Sequence, residues 1–276
     1  MILGIDLGGT NIRIGQIVDG RIINIVKGPS PAGLSLDDSI AYLKLFIGKM
    51  VTDDVTGMGI GVPSVVDVER GIVYNATNMP SWKEVHLKDI LTDEFKMPVC
   101  INNDANCFAL GEKVYGAGKE CRDMIGVTLG TGVGAGIIIN NALYCGCNAG
   151  AGEIGSIPYL NATLEHYCSG DFFISRYNTT GRQVAAKAQL GDSWALNIWD
   201  EFGGHVGHLM EAVLYTYDPE MIVLGGGIAR SYQFFERKMM ATLKKFPYPQ
   251  TVKNIRIEIS MNGDIGILGA GALHLL

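Results

Sequence analysis

Gly4-Ile5-Asp6-Leu7-Gly8-Gly9-Thr10 and Gly126-Val127-Thr128-Leu129-Gly130-Thr131-Gly132 are the two stretches that decide how this chain folds. Each follows an apolar run, turns through small residues and enters a second apolar run, at residues 12–18 and 133–139. That is a strand, a tight turn and a returning strand, written twice. Glycine lets backbone N–H groups approach an anion together and point at it, which is how a backbone cradles phosphate. Two such turns in one chain predict a nucleotide held between two related halves, and a kinase or an ATPase is the first expectation. Read singly, each turn is a plain hairpin loop. Asp6 separates the readings, because a carboxylate beside a phosphate cradle repels the ligand unless Mg²⁺ lies between them. No G-x-x-x-x-G-K-[ST] is present, which excludes the P-loop class. Gly8-Gly9-Thr10 leads into another strand and not into a helix, which argues against a dinucleotide fold.

The bulk properties agree with a globular enzyme. At 276 residues the chain is comfortable for two domains. Apolar residues at 47% and charged residues at 18% allow a large core and exclude disorder. A net charge of −6 without a Lys/Arg stripe gives no footprint for nucleic acid. The 37 glycines exceed the usual share of roughly 7%, and many fall in the turns quoted above. The opening strand has no basic segment and no cleavage site, so no signal peptide is expected. No stretch approaches the ~20 apolar residues of a membrane span. A cytoplasmic location follows, with all six cysteines as thiols. Cys145 and Cys147 are the only close pair and lack partners at zinc-finger spacing.

Along the chain, apolar runs predict strands at residues 2–6, 12–18, 22–26, 55–62 and 99–102, with a helix of period 3.6 over 39–51. A helix is predicted from 105 to 115 with Asp104 as its N-cap. The break into a second half falls near Gly116-Ala117-Gly118. There, strands at 124–129 and 133–139 flank the second turn, and a loop-rich passage covers 144–169. A helix at 200–217, a strand at 221–224 ending in Gly225-Gly226-Gly227, a strand at 255–260 and a helix at 266–276 complete the reading. Strands alternating with helices after an initial meander predict an α/β architecture, repeated.

Taken together, Asp6-Leu7-Gly8-Gly9-Thr10-Asn11, Asn103-Asp104-Ala105-Asn106, Gly130-Thr131-Gly132-Val133-Gly134, Gly152-Glu153-Ile154-Gly155 and Leu224-Gly225-Gly226-Gly227 resemble the ROK family of bacterial sugar kinases, open reading frames and repressors. The resemblance runs from residue 2 to residue 273, with the five motifs in order. It implies an α/β, two-domain actin-like ATPase (ribonuclease-H-like) fold with an interdomain cleft. The N-terminal domain would span 1–115, the C-terminal domain 116–261, and a C-terminal helix at 262–276 would pack back on the first. It implies Asp104 as catalytic base, accepting the proton of a sugar hydroxyl that attacks the γ-phosphate. Asn78, Asn103, Glu153 and Glu165 would contact the sugar. Gly8, Gly9, Thr10, Gly130, Thr131 and Gly132 would hold the β- and γ-phosphates of ATP. Asp6 would orient Mg²⁺ through water, and Gly226 and Gly227 would take adenosine against the backbone. Mg²⁺ is expected to be held through phosphates and water, so no side chain is assigned as a direct metal ligand. Trp82, beside the Asn78 loop, reads either as a core aromatic or as part of the loops closing over the sugar.

One departure stands out. Kinases of the resembled family follow G-E-[IL]-G with His and then a cysteine-rich segment, which together bind structural zinc. Here Ser156 replaces the His, Thr163 stands where the last Cys would be, and the segment is short. No zinc is therefore expected, and the loop carrying Glu165 must be held by packing. The expected activity is ATP-dependent phosphorylation of a hexose or N-acyl-hexosamine hydroxyl, at the 6-position, by a homodimer. The alternative is a non-catalytic sugar-binding or regulatory relative. Members of the repressor branch carry a helix-turn-helix ahead of the first turn, and Asp6 lies too near the start of this sequence for one. No motif records the stereochemistry of the sugar.

Overall fold

The computed structural model describes residues 1–276 except Thr77 and Asn148. Two five-stranded sheets dominate it. The first contains β1 (Ile2–Leu7), β2 (Asn11–Val18), β3 (Arg21–Pro29), β4 (Gly57–Val62) and β8 (Val99–Asn103), in the order β3-β2-β1-β4-β8. The second contains β9 (Met124–Leu129), β10 (Val133–Ile139), β11 (Ala142–Tyr144), β14 (Met221–Gly225) and β15 (Arg256–Ile259), in the order β11-β10-β9-β14-β15. In each sheet the first three strands form an antiparallel meander, and two later strands add in parallel beside the first. The repeat suggested by the two glycine turns is therefore a repeat of whole topology. The parallel strands β4 and β14 are buried along their full length, as continuous apolar runs covered on both faces must be.

Each sheet has its own core. α1 (Leu36–Gly48) contributes Leu43, Phe46 and Ile47 to the first, and α2 (Leu87–Phe95) contributes Leu87 and Leu91. Trp82 belongs to this core, fully buried with its indole N–H donated to Ser39 Oγ at 2.7 Å. The second core draws on α4 (Leu164–Cys168), α5 (Gly170–Tyr177), α6 (Gly181–Gln189), α7 (Ser193–Tyr217) and α9 (Tyr232–Leu243). α7 begins seven residues before the predicted start because Asp192 caps it, accepting the Ala195 N–H at 2.8 Å. Two short additions were not expected from the sequence. They are a sheet of β5 (Val65–Asp67), β6 (Ile72–Tyr74) and β7 (Glu84–Val85), and a hairpin of β12 (Pro158–Tyr159) and β13 (Ala162–Thr163). The elements α8 (Gly226–Ala229) and α10 (Pro249–Asn254) are brief, and α10 buries no residue.

Two helices join the halves. α3 (Asp104–Tyr115) follows the last strand of the first sheet but lies on the second, with Ala105 and Ala109 against Gly126, Gly134 and Gly136. α11 (Ile265–Ala272) follows the second sheet and lies on the first, its Ile267 and Ala270 carbonyls against Gly4 and Gly59. The two helices touch through Gly111 and Gly269, where any side chain would strike backbone. The cleft opens beside this crossed pair. Among the described residues no helix is long and apolar enough to cross a membrane.

Candidate active site

The cleft is built around the β8–α3 junction. Asn103 is extended (φ −62°, ψ 146°), and its Oδ1 accepts the N–H groups of Ala105 at 2.8 Å and Asn106 at 3.2 Å. Asn103, and not Asp104, is thus the N-cap of α3. Asparagine satisfies the first amides while leaving the next residue helical. The correction matters chemically, because Asp104, as the first helical residue, is free of the capping duty. Its carboxylate accepts only the adjacent Ala105 N–H, at 2.9 Å, among the described residues. Asn103 also donates an Nδ2 N–H to Ser64 O at 3.2 Å, so one amide N–H remains for a ligand.

Asp104 lies where two cavities meet. Burial, first, and the Asp6 carboxylate, second, raise its pKa to about 7, against the opposing pull of the Ala105 N–H. A carboxylic acid poised near neutrality is suited to removing a proton from a hydroxyl. The larger cavity, about 780 Å³, is lined by Gly9, Thr10, Asn78, Asn103, residues 130–132, Glu153 and Glu165. The smaller, about 640 Å³, is lined by Asp6, Arg13, Gly226, Gly227 and Arg230. Of the residues the sequence pointed to, only Gly8 lines neither cavity.

Gly8 N–H closes the first turn on Asn11 O at 2.9 Å, and Gly130 N–H closes the second on Gly132 O at 3.0 Å. The amides of Gly9, Thr10, Thr131 and Gly132 meet no protein acceptor among the described residues, and all four residues line the larger cavity. A Cβ at Gly130 or Gly227 would meet nothing within 4 Å. Gly226 adopts φ +86°, a left-handed value, with its Cα against Leu129 O. Paired unbonded amides across a cleft fit a polyphosphate, and the bare backbone at Gly227 fits a flat ring.

Gly132 also meets a carboxylate. Glu165 lies against its Cα and accepts the Val133 N–H at 2.9 Å, so the second glycine turn positions that carboxylate. Glu153 lines the same cavity, its pKa raised by burial and then by Glu165. Glu165 sits on α4, inside the passage the sequence left as loop. The β12–β13 hairpin and α7 brace α4. Tyr159 packs edge-on to Tyr167, and the Tyr159 hydroxyl bonds His205 Nδ1 at 3.1 Å. Tyr167 donates to Asn161 Oδ1. Among the described residues no cluster of His, Cys, Asp and Glu could hold a metal ion. Ser156 ends a turn of 3₁₀ helix and is exposed.

Arg13 escaped the sequence reading. It is the cross-strand partner of Asp6 in the β1–β2 hairpin, and its Nε and Nη2 both bond Asp6 Oδ2. The register of a hairpin around residues 8–10 would have revealed this pairing. It would have shown that Asp6 faces a guanidinium.

The sequence profile of the ROK family matches residues 2–275. The chain belongs to the ROK family. Its ROK relatives include a glucokinase of Halalkalibacterium halodurans, 30% identical over 98% of this chain and 94% of the relative. A xylose repressor of Bacillus spizizenii is also 30% identical, over 90% of this chain and 70% of the repressor. The ROK glucokinase of Streptomyces griseus, solved with glucose and AMPPNP, superposes with a TM-score of 0.87 at 26% identity, covering 99% of this chain and 98% of that one. The ROK architecture accounts for the two α/β lobes and the cleft between them.

Proposed function

We propose that this chain is an ATP-dependent hexose kinase, glucokinase-like, transferring the γ-phosphoryl group of ATP to a hydroxyl of a hexose or N-acyl-hexosamine. The 6-hydroxyl, as a primary alcohol, is the acceptor. The observation that carries the reading is Asp104, poised near neutrality where the two cavities join, in a cavity that it lines together with both glycine turns, Glu153 and Glu165. The likeness to glucokinases supports it. The repeated strand order supports the ribonuclease-H-like, actin-like descent, with lobes 1–115 and 116–261 and the segment 262–276 returning to the first.

In this mechanism the sugar occupies the larger cavity. Glu153, Glu165, Asn78 and the remaining Asn103 N–H hold its hydroxyls. Asp104 takes the proton from the attacking oxygen. The free amides of Gly9, Thr10, Thr131 and Gly132 hold the phosphates, while adenosine lies along Gly226 and Gly227. Asp6 would hold Mg²⁺ beside the phosphates through water, and the ion would supply neutralisation of charge on the transferring group. Positioning and electrostatics supply most of the rate, and closure of the lobes excludes water that would otherwise accept the phosphoryl group.

Asp104→Asn tests the assignment. It should bind the sugar within about threefold of the native affinity while turnover drops at least ~10²-fold. Measured by coupled ADP release across a panel of hexoses and N-acyl-hexosamines, native-like turnover in this variant would refute the role of Asp104. Binding without turnover in the unaltered protein would favour the regulatory relative.

A further inference from the structure

We propose that Glu112 is a positioning residue that clasps both segments by which the chain passes between the two sheets, so that the lobes close about one pinned point with Asp104 in place. The proposal rests on the kinase reading and on the lobe closure within it. The first segment lies between α3 and β9, the second between β15 and α11. Glu112 sits near the end of α3 and is only 2% exposed. Its Oε2 accepts the Ala117 N–H at 2.9 Å, in the first segment, and its Oε1 accepts the Ser260 hydroxyl, at the start of the second. Its own carbonyl accepts the N–H groups of Gly116 at 3.1 Å and Gly118 at 3.0 Å. Gly116 leaves room for the carboxylate, since a Cβ there would strike Oε2.

The chemistry of the residue narrows its role. A carboxylate taken out of water is costly unless it is paired, and neither side-chain partner of Glu112 is a cation. An apolar side chain would fill the same space at less cost. What it could not supply is a bond to each segment at once. Both arms of the clasp end at fixed places. The Ser260 N–H is bonded to Leu224 O at 2.8 Å, which anchors that arm at the end of β14 in the second sheet. Gly111, the residue before Glu112, lies against the Ile265 carbonyl of α11, which covers the first sheet. Glu112 therefore stands where the crossed helices and both connecting segments meet, the point about which the lobes turn with least displacement. Asp104 is carried on the same helix, about 12 Å along its axis from Glu112. Residues 259–263 line the smaller cavity, so the segment held through Ser260 is also a cavity wall. A loosened clasp would let Asp104 and that wall shift against each other, and a misplacement of ~1 Å costs about a hundredfold in rate.

Two readouts on the full chain test this. Hydrogen exchange without ligand, followed by mass spectrometry, compares the two segments. Ser260→Ala should speed exchange severalfold around residue 260 and also over residues 116–123, the segment it leaves unaltered. Steady-state ADP release, with Mg²⁺-ATP and the sugar of the panel that turns over fastest, supplies the second readout. Glu112→Met should lower kcat about ten- to a hundredfold, with sugar affinity within about threefold of native. Glu112→Gln should keep kcat within about threefold, because its amide can accept from Ala117 and donate to Ser260. Should Glu112→Met fail to fold, Ser260→Ala decides, with kcat lowered severalfold as the expected result. Exchange that rises only around residue 260 would overturn the proposal. So would native kcat in a folded Glu112→Met or Ser260→Ala protein, or a Gln variant as impaired as the Met variant. An unaltered protein that turns over no sugar of the panel would refute the kinase reading itself, and the exchange comparison would still decide whether Glu112 couples the two segments.

Discussion

Gly132→Ala should impair the sugar site while leaving the fold intact. A Cβ built at Gly132 stands 2.5 Å from Oε2 and 3.2 Å from Cδ of Glu165. Contacts that short cannot persist, and what must yield is the free end of a flexible, exposed side chain, not backbone. The backbone at Gly132 has no positive φ, so alanine fits it. Glu165 then loses its bond from Val133 N–H, 2.9 Å in the native protein, and swings away from the sugar. A displaced charge-assisted hydrogen bond to a sugar hydroxyl is worth ~1.5–3 kcal/mol, or about ten- to a hundredfold in affinity. Steady-state kinetics should show the sugar KM rising by that factor, with the KM for ATP within about twofold. The decisive comparison is a double-mutant cycle: in a Glu165→Ala background, Gly132→Ala should add little further loss. An equal loss in both backgrounds, or a rise in the ATP KM instead, would refute the argument and return Gly132 to a purely phosphate-facing role.

Four further outcomes are expected. Because Asp104 must be ionised to accept a proton, kcat/KM should fall as pH drops through about 7, and Asp6→Asn should move that limb to lower pH by removing a repelling charge; a limb that stays put would refute the coupling. Asp104 in the native state holds its proton up to about 7, against roughly 4 in an unfolded chain, so stability should fall as pH rises between those values. Asp104→Asn removes that cost and should melt higher than the native protein at neutral pH, the difference vanishing near pH 4 in thermal scans. A zinc-selective chelator should leave both melting temperature and turnover unchanged, whereas His205→Phe, which breaks the bond to Tyr159, should raise the sugar KM.

Nine of the ten strands in the two large sheets were legible as apolar runs, several of them beside glycine, but the three-residue β11 was too short to register; the duplication was legible because its turns are spelled alike. Asp104 was legible as a candidate site residue, but its place in the helix was not. Two adjacent residues, Asn103 and Asp104, are both good caps, and only the backbone angles show which is used. The strands of the small sheet are two or three residues long, too short for any period to register. α4 is five residues long and escaped for the same reason, hiding the structural address of Glu165. Arg13 was missed because its meaning is relational: nothing marks it until the hairpin register sets it opposite Asp6. The Tyr159–Tyr167–His205 brace joins residues far apart in the chain, and side-chain contacts of that kind have no local signature.

The crossing of α3 and α11 has a consequence for how the protein is made. Ribosomal synthesis delivers the first sheet early, but the helix that covers it with its Ile267 and Ala270 backbone appears only after the whole second sheet. The nascent first half must therefore wait with an uncovered face carrying Gly4 and Gly59, where a chaperone can bind and a neighbouring chain can stick. Closure over so long a loop is slow compared with local helix formation. The cleft, and with it the setting of the Asp104 carboxylate, comes into being among the last events of folding, when the final helix docks.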